Sequence, residues 1–297
     1  MFISRIRTRL LGSQPDAAPT SRASRADHTP MLGPAFGPAL DPPPRPSRWP
    51  APRIAMAERL WGPGFLAPGG AAEVASLAVP LRLAPETRCL LVGTLLNGPS
   101  HALESTGAPV TSYTDDPALA RRAGAREWSP TGPDFGIARH DRALALEPFA
   151  ALPPSTPVPE NGGPILNALA DSIAPIGQLV LTALVAADTS LAPSALPGLL
   201  PAEPPITNAL RQHGFGLHAI SDRSAHHVAL VRDAWNAAIA ALPRVRLPEE
   251  AAQALLAEEA HWYTRLTLLT EGKVRLLCWH AVGKAYTGPL DSPDPTP

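Results

Sequence analysis

The twelve residues from Arg88 to Pro99 constrain this chain more than any other stretch. Cys89-Leu90-Leu91-Val92 is an apolar run of strand length. Gly93-Thr94-Leu95-Leu96-Asn97-Gly98-Pro99 is a loop with glycine at both ends, and a helical pattern follows it. In α/β proteins a strand, glycine-containing loop and helix in this order frame a nucleotide-like ligand. Glycine lets the backbone come close, and the helix N-terminus presents N–H groups that have no partner within the helix.

The rest of the chain repeats the alternation. Strand-like runs are read at 110–113, 127–128, 142–146, 178–185, 215–221 and 273–282, and helical patterns at 71–79, 100–106, 115–123, 165–173, 205–212, 226–242 and 248–269. Strands separated by helices predict an α/β fold, a doubly wound and mostly parallel sheet with helices on both faces. Three stretches are expected: a disordered N-terminal tail over 1–55, a folded domain over 56–283 and a disordered C-terminal tail over 284–297. The first rests on eleven prolines before position 54 with no sustained helical or strand period. Its Arg-rich opening resembles a transit peptide, but a plain tail or an over-extended start ahead of Met56 is the simpler reading.

Composition narrows the function classes. Formal net charge is −1, with the positive excess confined to the first 55 residues, so nothing global points to nucleic acid. The longest apolar runs fall far short of the ~20 residues a membrane span needs. Cys89 and Cys278 are isolated and lie in strand-like runs, which reads as two buried thiols and a cytoplasmic, reducing setting.

Three segments carry a resemblance to a known family. Trp61-Gly-Pro-Gly-Phe-Leu-Ala-Pro-Gly-Gly70 is similar to the aromatic-Gly-x-Gly-Phe segment ahead of the cofactor domain in phosphoethanolamine-type methyltransferases. Ile173-Ala-Pro-Ile-Gly-Gln-Leu-Val-Leu-Thr182 resembles their approach to the fifth strand, and His213-Gly-Phe-Gly-Leu217 their late Gly-Phe strand. Together with the glycine loop these resemble the class I S-adenosylmethionine-dependent methyltransferases. The resemblance implies seven strands with the last antiparallel, S-adenosylmethionine as cofactor and a small-molecule substrate. It also implies cofactor-binding roles for Trp61, Phe65, Gly93, Thr94, Gly98, Thr114 and Asp115.

The motif also departs from the family pattern. Leu91 stands where an acid is expected, and Leu95 and Asn97 where glycines are expected. Thr114 takes the place of the acid that accepts the ribose hydroxyls, with Asp115 one residue late. The Leu95 side chain is expected to project toward the cofactor's path, where glycine would allow close approach. Two functions therefore stay open: a small-molecule methyltransferase with a drifted loop, and a catalytically inactive relative that binds a ligand or a protein partner.

Methyl transfer depends chiefly on alignment, so few residues announce it. Where the acceptor must lose a proton, His140, Asp141 and Glu147 are candidates, because they flank the fourth strand. His140 and Glu147 are taken as the catalytic pair. His226-His227 and His261-Trp262 lack partners at metal-ligand spacing and read as surface or capping histidines, so no metal is expected. Gly98-Pro-Ser100-His-Ala102 resembles a hydrolase nucleophile elbow without its final glycine, and no other hydrolase signature accompanies it.

Overall fold

The computed structural model describes residues 47–153, 156, 163–187, 196, 198–241 and 247–283. Residues 1–46 of the tail expected over 1–55, and the whole of the tail expected over 284–297, lie outside them. At the centre is β1 (Cys89–Gly93), buried along its whole length between two parallel neighbours, β2 (Val110–Thr114) and β4 (His140–Leu146). Outward from β2 lies the two-residue β3 (Arg126–Glu127), and outward from β4 lies β5 (Ile173–Ala186). β7 (Val274–Gly283) runs antiparallel between β5 and the edge strand β6 (Phe215–Asp222). The order β3-β2-β1-β4-β5-β7-β6 agrees with the expected seven-stranded sheet with its last strand antiparallel.

Period-2 alternation divides the central strands between two cores. Leu90, Val92, Ala143, Ala145, Leu179 and Leu181 belong to one, covered by α5 (Gly163–Ser172) and α6 (Glu203–Gln212). Cys89, Leu91, Leu144 and Val180 belong to the other, covered by α2 (Gly70–Ala78) and α3 (Asn97–Glu104). Both faces of the central sheet are thus covered, and β1 is buried along its whole length and reads as a continuous apolar run for that reason. Cys89 and Cys278 are buried free thiols, and burial pushes the Cys89 thiol up to about 12.

Three further helices set the site. α1 (Ala51–Trp61) begins inside the stretch read as tail, and Ile54, Met56 and Ala57 are buried. It corrects the expectation of a tail over 1–55, which rested on the density of prolines before position 54, two of them being Pro50 and Pro52. Both fall at the helix start, where proline costs nothing. α1 packs against α8 (Glu249–Thr270), with Trp61 edge-on to Trp262 at 4.9 Å. α7 (Ser224–Ala241) packs beside both. None of the described helices is long and apolar enough to cross a membrane.

Candidate functional site

A cavity of about 230 Å³ opens at the carboxyl edge of the parallel strands. Thr94, Leu95 and Leu96 of the β1 loop line it, with Leu146, Glu147 and Phe149 after β4 and Thr182 to Leu184 of β5. Phe65, Leu66 and Val74 close one side, and α7 and α8 contribute His227, Glu258, His261, Trp262 and Arg265. In an open α/β sheet, ligands gather at this edge because loops and helix N-termini converge there.

The tip of β2 supplies the most distinctive group. α4 (Pro117–Ala123) starts directly after it. Asp116 caps that helix by accepting from the Ala118 and Leu119 N–H groups at 2.9 and 3.3 Å. Asp115, one residue earlier, has a carboxylate only 1% exposed. It accepts a hydrogen bond from the Thr94 hydroxyl at 2.8 Å and is ion-paired to Arg48. Thr114 points the other way, its hydroxyl accepting from the Leu95 N–H at 3.1 Å. The carboxylate beside the glycine loop is therefore Asp115, and Thr114 fixes the loop instead.

The two retained glycines serve the chain's own packing. A Cβ on Gly93 would stand 2.6 Å from the Leu146 carbonyl oxygen, and one on Gly98 would stand 2.6 Å from that of Gly64. The Gly98 N–H also donates to the Gly64 carbonyl at 3.0 Å, so the aromatic-glycine segment sits on the start of α3. Leu95 is buried in the core that holds Leu91 and Leu144 and also lines the cavity.

The remaining expected residues separate. Phe65, Thr94 and Glu147 line the cavity, whereas Trp61 is buried behind it against Trp262. Glu147 has a left-handed backbone, φ 47, and makes a two-pronged ion pair with Arg265 at 2.9 and 2.6 Å. His140 needs correction. It opens β4 whereas Glu147 follows its last residue, so the two lie at opposite ends of the strand. Its ring bonds the Phe135 carbonyl at 3.3 Å, away from the cavity. The neighbouring Asp141 is paired with Arg88 at 3.1 Å, and that bond holds its carboxyl below the usual range. Ser100 lies inside α3, not on a strained turn.

Of the histidines expected at the surface or in caps, His226 is exposed, but His227 is buried and His261 half-buried, and both line the cavity. His227 is 6% exposed with Nε2 unpartnered, and burial, assisted by Arg265, lowers its pKa well below 6.5. His261 is brought down to about 4 by the same causes in the same order. Both rings are neutral at pH 7. The signal that could have found them is helical spacing: His227, Val231 and Trp235 recur every four residues, and Glu258, His261, Trp262 and Arg265 form one stripe. Among the described residues no group of three or more His, Cys, Asp or Glu could hold a metal.

No protein-family model matches this chain, and no curated protein sequence matches it. Solved structures do. Phosphoethanolamine N-methyltransferase 2 of Haemonchus contortus, with phosphomonomethylethanolamine and S-adenosylhomocysteine bound, superposes with a TM-score of 0.62 at 13% identity. The match covers 78% of this chain and 57% of that one, so the chain spans little more than half of that protein's length. The [4+2]-cyclase SpnF gives 0.56 at 14% identity, over 79% of this chain and 93% of that one. The cyclopropane synthase MmaA2 of Mycobacterium tuberculosis gives 0.54 at 12%, over 71% and 83%. At these identities the likeness establishes the methyltransferase fold and nothing finer.

Proposed function

We propose that the chain is an S-adenosylmethionine-dependent methyltransferase acting on a small molecule held in the carboxyl-edge cavity. The observation that carries the reading is Asp115, a buried carboxylate at the tip of β2 that is hydrogen-bonded to Thr94 of the β1 loop and ion-paired to Arg48, both of which line the cavity. A carboxylate there fits a pair of sugar hydroxyls, since each can donate one charge-assisted hydrogen bond. Asp115 and Thr94 would hold the nucleoside end of S-adenosylmethionine. Phe65, Leu95 and Leu96 would line the apolar wall beside it. When bound, the cofactor supplies a methyl group already activated on a sulfonium.

The chain's own residues then have the task of orienting an acceptor and excluding water. Glu147 is fixed by Arg265, so its carboxylate presents one direction to the cavity and can orient a donor group on the acceptor. His227, neutral and unpartnered at Nε2, can exchange a hydrogen bond with the acceptor there. His140 has no part in this reading.

A second reading, a binding protein that transfers nothing, draws on two observations. Gly93 and Gly98 make their close approaches to this chain's own backbone, and Arg48 already engages Asp115. Calorimetry with S-adenosylmethionine and S-adenosylhomocysteine separates the two. Micromolar binding that weakens roughly 10- to 100-fold in Asp115→Asn is expected, from the ~1.5 to 3 kcal/mol of a hydrogen bond to a charged group. No binding at millimolar ligand would sink the proposal.

A further inference from the structure

The residues just ahead of α1 form a strap across the tip of β2. The Ser47 hydroxyl donates to Asp116, lying 2.9 and 3.0 Å from its two carboxylate oxygens. The Arg48 N–H donates to the same carboxylate at 2.9 Å. The Arg48 guanidinium is ion-paired to Asp115 and donates to the Ala150 carbonyl at 3.2 Å. Trp49 and Arg53 continue the strap along the cavity, with the Arg53 guanidinium 4.0 Å from the Trp49 ring centre.

The two acids have separable duties. Asp116 caps α4 whether or not the strap is present, because its Oδ1 accepts from Ala118 and Leu119. Asp115 has two functions in conflict. Its Oδ1 takes the Thr94 hydroxyl and its Oδ2 takes Arg48, so both oxygens already have a donor and Arg48 competes with any pair of hydroxyls for this carboxylate. The two partners of the ion pair are unequally buried: the Arg48 side chain is 46% exposed and the Asp115 carboxylate 1%. An arginine so exposed exchanges its carboxylate for water at little cost, while a buried carboxylate must be given another donor. The device is therefore able to open, and it opens only when something replaces the guanidinium.

We infer that Ser47–Trp49 is a self-inhibitory strap. Arg48 occupies the carboxylate that a nucleoside's vicinal hydroxyls would use, and ligand binding requires the strap to lift. This rests on the function proposed above, since it concerns the same carboxylate. It adds a consequence of its own: salt, which screens a half-exposed ion pair, should favour nucleoside binding instead of leaving it unchanged.

The test measures S-adenosylhomocysteine affinity calorimetrically for the full chain and for Arg48→Ala, at low and high salt. It is paired with hydrogen exchange over residues 47–53 of the unaltered protein with and without ligand. Arg48→Ala should bind about 10-fold tighter or more, the affinity of the unaltered protein should rise with salt while that of the variant does not, and ligand should speed exchange in the strap. Hydrogen exchange requires no substitution, so a variant that folds poorly leaves the inference exposed to refutation. Equal binding by both proteins with unchanged exchange overturns the strap and leaves the proposed function standing. Weaker binding by Arg48→Ala makes Arg48 a ligand-holding residue and overturns the strap as well. Binding by neither protein overturns the proposed function, and the strap falls with it.

Discussion

His227 on α7 and His261 on α8 line the same cavity, and the charge of Arg265 acts on both. Arg223 and His226 add to the charge around His227, and Arg53 to that around His261. In the unfolded chain each ring titrates near 6.5, whereas in the folded chain His261 titrates near 4 and His227 well below 6.5. Between those values the unfolded state binds more protons, so stability falls as the pH drops through the window. Thermal melts should lose midpoint steadily from pH 7 to pH 5, and a His227→Gln, His261→Gln double variant should flatten that slope. A variant with the same slope would show that other groups carry it. Asp141 acts in the same sense, but at lower pH. Its carboxyl is lowered by Arg88, so its contribution is intact above its unfolded value and disappears only in stronger acid. Helical spacing puts each histidine on an apolar stripe of its own helix, but that the two stripes face one cavity depends on how the helices pack.

At the scale of elements, the β1 loop and the aromatic-glycine segment act as one unit. The Gly64 carbonyl accepts from the Gly98 N–H, and the space above Gly98 is filled by the Gly64 backbone and the Phe65 ring. Gly98→Ala would push a methyl to 2.6 Å from a backbone oxygen, which cannot rotate away. A loss of about 1 to 3 kcal/mol in urea unfolding is expected, the usual cost of overpacking. A neutral result would mean that the segment lifts readily from the loop. The glycines were legible as signs of close approach, but the partner was not: the sequence suggested a ligand, and the structure supplies Gly64. β1 and the apolar halves of β4 and β5 were legible because their side chains are buried on both faces, whereas the first five residues of β5, with Pro175 and Ile176 exposed, were not read as strand. α1 was not legible either, because the prolines at its start resemble those of a tail.

For the whole molecule, α1 is what joins the strap to the cavity's far wall. Arg53 is ion-paired to Glu258, which is 2% exposed and also accepts from Trp262 Nε1 at 3.1 Å. A chain shortened to begin at Met56 would lose that arginine and buried Ile54, leaving Glu258 without its cation. The expected cost is about 3 to 5 kcal/mol relative to a chain beginning at Ser47, as for breaking a buried pair. Equal melting of the two would remove the start of α1 from the fold's stability. The sequence by itself determined the sheet, its mostly parallel sense and the loop at its centre, because periods of 2 and 3.6 are local signals written along each element. The tertiary structure alone decided which polar groups meet at the carboxyl edge. It set Glu147 in the cavity and His140 at the other end of the same strand, and it brought Arg48 to Asp115 across 67 residues of chain. Such pairings depend on how whole elements dock, and no run of neighbouring residues encodes that.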